Sequence, residues 1–269
     1  MEILNYYPEE KLAELFDFLG FVSIYEDRER SKAYFKLMDD HKKLFKDAVV
    51  IEAGAGFGEF SQKALDMGAK KLYAVEINKY MTALLKKRFG KDRRVRVVKK
   101  DFFDFMPLEK RADILIHDLY GPLLYDESLY ALEKLKYPVE NIFPNGGRLA
   151  FAVADSKKFT DKVVDAGVLN ELKGALVSDL FDPYEGPFPY EACSWTAAEG
   201  LKCKKPNISN VKGDLLVFRL EIFHDGKFIS SASECDNWPM VWTPRDGNMF
   251  ELIFKRKGIY CNPYFKWIA

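Results

Sequence analysis

The stretch Val49-Val50-Ile51-Glu52-Ala53-Gly54-Ala55-Gly56-Phe57-Gly58 decides how the rest of the chain is read. With Ala48 it opens on a short apolar, β-branched run of the kind that forms a buried strand. Three alternating glycines follow at once, and then a helical pattern from Phe60 to Met67. Working outward, strand and helix keep alternating: strand Lys71–Val75, helix Lys79–Phe89, strand Val95–Val98, strand Ala112–Ile116, helix Ser128–Lys136 and strand Arg148–Val153. Strands that alternate with helices predict a parallel sheet covered on both faces. Upstream, Leu12, Leu15, Phe16 and Leu19 recur at helical spacing, and a second helix is expected from about Ser31 to Phe45. Downstream of a helix expected over Thr160–Lys173, the proline-stiffened Asp182–Pro189 segment leads into alternating runs. These are Leu215–Phe223, Phe228–Ser233 and Met249–Phe254, the pattern of antiparallel strands. The expected fold is α/β: a doubly wound, Rossmann-like domain over residues 48–154, a helical cap over 1–47 and a small β-rich domain over 155–269.

Composition narrows the classes. Among 269 residues, 41 Lys and Arg balance 41 Asp and Glu, which excludes a wholly basic polyanion binder but leaves room for a local basic groove. A hydrophobic fraction of 48% argues against disorder. The four cysteines are widely spaced with no C-x-x-C pair, so neither a metal site nor a disulfide scaffold is expected. With no membrane span and no signal-like N-terminus, a cytoplasmic protein is expected.

Glycines at a strand-to-helix turn let a ligand approach the backbone. A dinucleotide fingerprint would place its third glycine five residues after Gly54, where this chain has Glu59, a carboxylate at the position meant for pyrophosphate. The G-x-G-x-G spacing of Gly54, Gly56 and Gly58 instead suits a ligand with a zwitterionic amino-acid portion and no phosphate: S-adenosylmethionine. Glu76 ends the next strand, placed to accept hydrogen bonds from ribose hydroxyls. Asp101 and Phe102 follow the third, placed to bond an adenine amino group and flank its ring. The fourth strand runs into His117-Asp118-Leu119-Tyr120-Gly121-Pro122-Leu123-Leu124-Tyr125-Asp126-Glu127. Asp118 and Glu127, nine apart across a Gly-Pro turn, can hold a planar nitrogen group with several donors. His117 can tune the acid beside it.

Over roughly residues 25–155 the sequence resembles the protein arginine methyltransferases. Asp27-x-x-Arg30-x-x-x-Tyr34 is similar to that family's N-terminal helix motif, and the resemblance assigns Arg30 to the cofactor carboxylate, with Tyr34 beside it and Glu52 at the amino-acid portion. Leu44-Phe45-Lys46-Asp47-x-Val49-Val50, the Asp118/Glu127 pair with Gly121 between them, Ser128-Leu129 and Phe143-Pro144-x-Gly146 continue it. Three features depart. Asp118 is one methylene shorter than the family's glutamate, Asp236-Asn237-Trp238 replaces its Thr-His-Trp loop, and about 115 residues stand where a barrel and dimerisation arm would need more.

Asp118–Pro122 also reads as a drifted form of the D-P-P-Y loop of methyltransferases acting on bases, with Tyr120 or Tyr125 as the stacking face. Lys255–Trp267 interleaves cations with aromatics, a combination that holds single-stranded RNA. The leading expectation is therefore an S-adenosylmethionine-dependent N-methyltransferase acting on an exocyclic amine of an RNA base. Cytosine is favoured and ribosomal RNA is one candidate. Protein arginine is the alternative, followed by a small-molecule amine and by a cofactor-binding protein without catalysis. His41 and His224 are expected at the surface, Lys86-Lys87-Arg88 with Arg93-Arg94-Arg96 as a solvated face, and no metal.

Overall fold

The structure is a computed structural model that describes residues 8–178 and 180–268. Residues 1–7, part of the expected helical cap, lie outside the described residues. The chain divides into two compact units, one of residues 1–117 with 137–141 and one of residues 118–136 with 142–269.

The first unit opens with helices α1 (Glu9–Glu26), α2 (Arg28–Asp40) and α3 (Lys42–Phe45). Asp27 caps α2, its carboxylate accepting from the Arg30 N–H at 3.0 Å. Strands β1 (Val49–Ala53), β2 (Lys71–Glu76), β3 (Val95–Lys99), β4 (Ala112–His117) and β5 (Val139–Phe143) form one sheet in the order β3-β2-β1-β4-β5. β1 pairs in parallel with β2 and β4, and β2 with β3. Helices α4 (Glu59–Asp66) and α5 (Lys79–Phe89) follow β1 and β2. All five residues of β1 are buried, as expected for the central strand of a covered sheet.

The second unit is antiparallel. Its main sheet joins β6 (Gly146–Ala154), β7 (Val177–Ser178), β8 (Tyr190–Thr196), β9 (Gly200–Cys203), β10 (Leu215–His224), β11 (Lys227–Ser231) and β12 (Val241–Pro244). A separate hairpin pairs β13 (Met249–Lys257) with β14 (Tyr260–Ile268). Ala150, Ala152, Leu215, Val217, Met240 and Trp242 form one core, covered by Phe159, Phe181 and Tyr184.

Five expectations are corrected. Residues 148–153 do not join the parallel sheet: β6 lies antiparallel between β10 and β8, and a mostly apolar run carries no sign of its partners' direction. The parallel sheet takes instead β5, whose Val-Glu-Asn-Ile-Phe has no clean periodicity. The helix expected over 128–136 is a 3-10 turn, Leu129–Lys134, in which Leu129, Tyr130, Ala131 and Leu132 are all buried rather than one face. The helix expected over 160–173 shrinks to α6 (Ala166–Glu171). There Asp161 turns its carboxylate onto the Val163 and Val164 N–H groups, and Asp165 caps the helix five residues late. Finally, Cys193 and Cys203 form a disulfide. They lie ten apart in sequence and become opposed only when the β8–β9 hairpin forms.

Candidate active site

In the first unit the glycine loop is built from the end of β1 to the start of α4. Gly54, Gly56 and Gly58 all have positive φ, of 69°, 47° and 75°. Gly58 is tighter than Gly56: a Cβ there would lie 2.6 Å from the Phe89 ring and 2.7 Å from Leu85. Gly58 is also the residue preceding α4 and has no side chain to cap it. Glu52 supplies the missing acceptor from β1, taking hydrogen bonds from the Ser61 N–H (2.8 Å) and the Ser61 hydroxyl. Burial pushes the Glu52 carboxyl up to about 8, against the lowering effect of Ser61. Glu52 is thus the brace of the loop.

Glu76, 3% exposed, has one carboxylate oxygen accepting from the Gly56 N–H at 2.9 Å and the other from the Asn78 N–H at 2.7 Å. Burial raises its pKa, and the backbone N–H bonds pull it back. The Ile77 N–H adds a third backbone bond; a carboxylate has about four lone-pair sites, so Glu76 can fix the loop and still accept from a ligand hydroxyl. The Asp101 carboxylate accepts from the Phe103 N–H at 2.9 Å and caps a short 3-10 turn, while Phe102 is buried and stacks on Phe105. Arg30 is buried, with its guanidinium 5.9 Å from the Tyr34 ring centroid; Tyr34 itself is fully buried and stacks on Phe60. Arg88, expected on a solvated face with Lys86 and Lys87, instead donates to the Phe57 carbonyl inside the loop at 2.7 Å. Its only sequence signal is its place in the last turn of α5. Glu59 is raised by burial and lowered by Arg88, Arg30 and Arg28, so three guanidinium groups act on the start of α4. A cradle of positive-φ glycines, buried acceptors and guanidinium groups fits a zwitterionic nucleoside ligand.

His117, the last residue of β4, is fully buried, and Asp118 follows it in the chain. In the second unit the segment from Asp118 to Glu127 is a closed turn. The Leu124 N–H donates to the Gly121 carbonyl at 2.8 Å, Leu124 has a φ of 73°, and the Leu123 N–H donates to Asp126 at 2.9 Å. Asp126 was not singled out from sequence. Its carboxylate fills the space over Gly121, where a Cβ would lie 2.2 Å from Oδ1, and burial pushes it up to about 6. Gly121 is glycine because this acid needs the room. Asp118 and Glu127 are both half-buried.

Tyr120 does not offer a stacking face. It is 1% exposed, its hydroxyl donates to the Gly146 carbonyl at 3.0 Å, and its ring meets Trp195 edge-on. Tyr125 is likewise buried, its hydroxyl donating to Glu133 at 2.8 Å, and Glu133 also accepts from the Leu201 N–H. In the basic–aromatic C-terminus, Lys255 lies over Tyr264 and Arg256 over Tyr130, while Phe265 and Trp267 pack with Phe250. Most of its rings are engaged within the unit. His224, expected at the surface, is buried and stacks on Phe143 at 4.6 Å. His41 is half-buried, with Nδ1 2.9 Å from the Leu37 carbonyl.

Comparison with known proteins agrees with this geometry. Residues 29–183 match the model of the FtsJ-like methyltransferases. Among curated relatives, protein arginine N-methyltransferase 8-B of Danio rerio is 28% identical over 174 residues, which is 60% of this chain and 41% of that protein. Histone-arginine methyltransferase CARMER of Anopheles gambiae is 27% identical over 174 residues, 60% of this chain and 27% of that protein. The chain therefore spans less than half the length of either. Two solved structures share the fold. One is the protein arginine methyltransferase 1 enzyme–prozyme heterotetrameric complex with AdoHcy from Trypanosoma brucei, with TM-score 0.63, 13% identity, and 91% of this chain and 96% of that one covered. The other is protein arginine methyltransferase 10 of Arabidopsis thaliana, with TM-score 0.60, 15% identity, and 91% and 95% covered. The glycine loop on a parallel sheet, followed along the chain by an antiparallel unit, is the fold that these two structures share with this protein, and the chain belongs to the FtsJ-like methyltransferase family.

Proposed function

We propose that this protein transfers a methyl group from S-adenosylmethionine to a guanidinium nitrogen of protein arginine. The observation that carries the reading is the electrostatics of the acceptor segment. From Asp118 to Glu133 the chain holds four acids (Asp118, Asp126, Glu127 and Glu133) and no lysine or arginine. Such a segment attracts a cation and repels a phosphate backbone. The buried, hydrogen-bonded Tyr120 and Tyr125 leave no platform for a flipped base, which weighs against the RNA amine expected first. The curated relatives named above, all arginine methyltransferases, support the same choice.

S-adenosylmethionine, when bound, supplies an electrophilic methyl on sulfur. The chain's own work is binding and orientation. Arg30 holds the ligand carboxylate, the backbone at Gly54–Gly58 faces its amino-acid portion, and Glu76 accepts from the ribose. Asp101 is assigned to the adenine amino group through its remaining acceptor capacity, and Phe102 to one side of the ring. Asp118 and Glu127 accept N–H bonds from a guanidinium and fix the orientation of its nitrogens. Positioning and field account for the catalysis.

The test is methyl transfer from labelled S-adenosylmethionine to three acceptors: an arginine-rich peptide, the same peptide with lysine at every arginine, and unstructured RNA. Label in the arginine peptide alone is expected. Label in RNA alone, or in neither peptide while the donor binds, overturns the reading.

A further inference from the structure

The chain is neutral overall, yet its charge is not mixed. Residues 86–100, Lys-Lys-Arg-Phe-Gly-Lys-Asp-Arg-Arg-Val-Arg-Val-Val-Lys-Lys, carry nine cations and one acid. They form the last turn of α5, its connection to β3, and β3 itself, the edge strand of the parallel sheet. Two of the nine are used internally: Arg88 on the Phe57 carbonyl, and Arg94 on Asp92 and the Leu65 carbonyl. The other seven, Lys86, Lys87, Lys91, Arg93, Arg96, Lys99 and Lys100, are all exposed, and among the described residues none makes a side-chain ion pair or hydrogen bond. The basic residues elsewhere contrast with these. Lys202, Lys204 and Lys205 each pair with an acid, Glu199, Glu191 and Glu251.

An edge strand needs only one or two lysines to discourage pairing with another sheet. Seven unpaired cations on one stretch exceed that need, and their mutual repulsion costs stability that nothing within the described residues offsets. Lysine supplies five of the nine cations, and lysine is depleted from the cores of protein–protein interfaces. The exposed face of α5 also bears Tyr80, 36% exposed with Lys79 over its ring, and Leu84 one turn on. Cations without an apolar pocket, on a helix that also carries a partly exposed ring, match a strand of phosphates rather than a folded acidic partner.

We infer that the α5–β3 edge is a docking surface for a single-stranded nucleic acid, held through its phosphates. This surface is built from the first unit's own residues and does not rest on arginine being the methyl acceptor. Recognition through phosphate makes the surface indifferent to sugar and sequence, so an oligouridylate and an oligothymidylate of equal length bind alike.

The test is fluorescence anisotropy of the full-length protein with these two oligonucleotides across a salt series. For single strands the slope of log K against log salt is about 0.7 per phosphate neutralised. The triple variant Lys91→Ala, Arg93→Ala, Arg96→Ala is expected to lower the slope by about 2 and weaken binding at low salt at least tenfold. The control Lys202→Ala, Lys204→Ala, Lys205→Ala is expected to leave both unchanged, and thermal melting confirms that each variant is folded. An unchanged slope in the first variant overturns the proposal. So does an equal loss in the control, or a wild-type protein that binds a polyglutamate peptide but neither oligonucleotide.

Discussion

Glu52 couples the glycine loop to pH. Its carboxyl is raised by burial from an ordinary 4.5 to about 8, so the protonated form fits the fold better than the charged one. The stabilising contribution is therefore complete below pH 4.5, declines as pH rises, and is lost through about 8. Glu52→Gln keeps an oxygen for Ser61 and removes the titration. Wild type should lose melting temperature relative to this variant between pH 5 and 9, and parallel curves would refute the burial argument. Asp126 works through its acceptor oxygen. Asp126→Ala should cost about 1–2 kcal/mol and expose the Leu123 N–H to hydrogen exchange, whereas Asp126→Asn should preserve that protection. Glu76 is marked in the sequence by its place at a strand end and Glu52 by its place at the entry to the glycine loop, and both are assigned there to the ligand. That these carboxylates accept hydrogen bonds from Ser61, Gly56 and Asn78 depends on which N–H groups the fold leaves unpaired. The role of Asp126, and that of Arg88 beyond the solvated face expected for it, stay hidden for the same reason: the amide and carbonyl they serve become available only in the folded loops.

At the level of elements, the strand–loop–helix beginning at Val49 was legible because its glycines and apolar run announce it locally. Pairing across distance was not. β6 looked like a parallel strand, and the cross-strand neighbours that fix its direction come up to 77 residues later, as in Gly146 with Phe223. The disulfide was hidden in the same way, since Cys193 and Cys203 meet only through the hairpin register. Closing a loop of that length lowers unfolded-chain entropy by the equivalent of about 2–3 kcal/mol. Cys193→Ser, or a reducing agent on wild type, should lower the melting temperature accordingly. Reduction should have no effect on the variant, and a further drop there would point to a different bridge. Gly58 makes an element-level prediction too. Gly58→Ala drives a methyl group into the Leu85 and Phe89 side chains at a positive φ, so those side chains must give and the loop is strained. Affinity for S-adenosylmethionine in calorimetry should fall at least tenfold, and unchanged affinity would remove Gly58 from the cradle.

Across the whole chain, charge is partitioned although the totals cancel. Nine cations gather in residues 86–100 of the first unit, and four acids without a single lysine or arginine line residues 118–133 of the second. Composition summed over the chain hid this, while the motif at Asp118 and Glu127 pointed to a planar nitrogen acceptor without choosing which. The choice comes from the buried tyrosines, which withdraw the stacking surface, and from the acid excess, which favours a cation. Asp118→Asn should therefore reduce methyl transfer at least tenfold while S-adenosylmethionine affinity stays within a few-fold. Equal loss of both would move Asp118 to the cofactor side. The most direct measurement is tandem mass spectrometry of an arginine-rich peptide incubated with the protein and S-adenosylmethionine. The account predicts a methyl group localised to the arginine side chain with wild type and its near absence with Asp118→Asn. A methyl group found on another residue type, or equal arginine methylation by the variant, would contradict it.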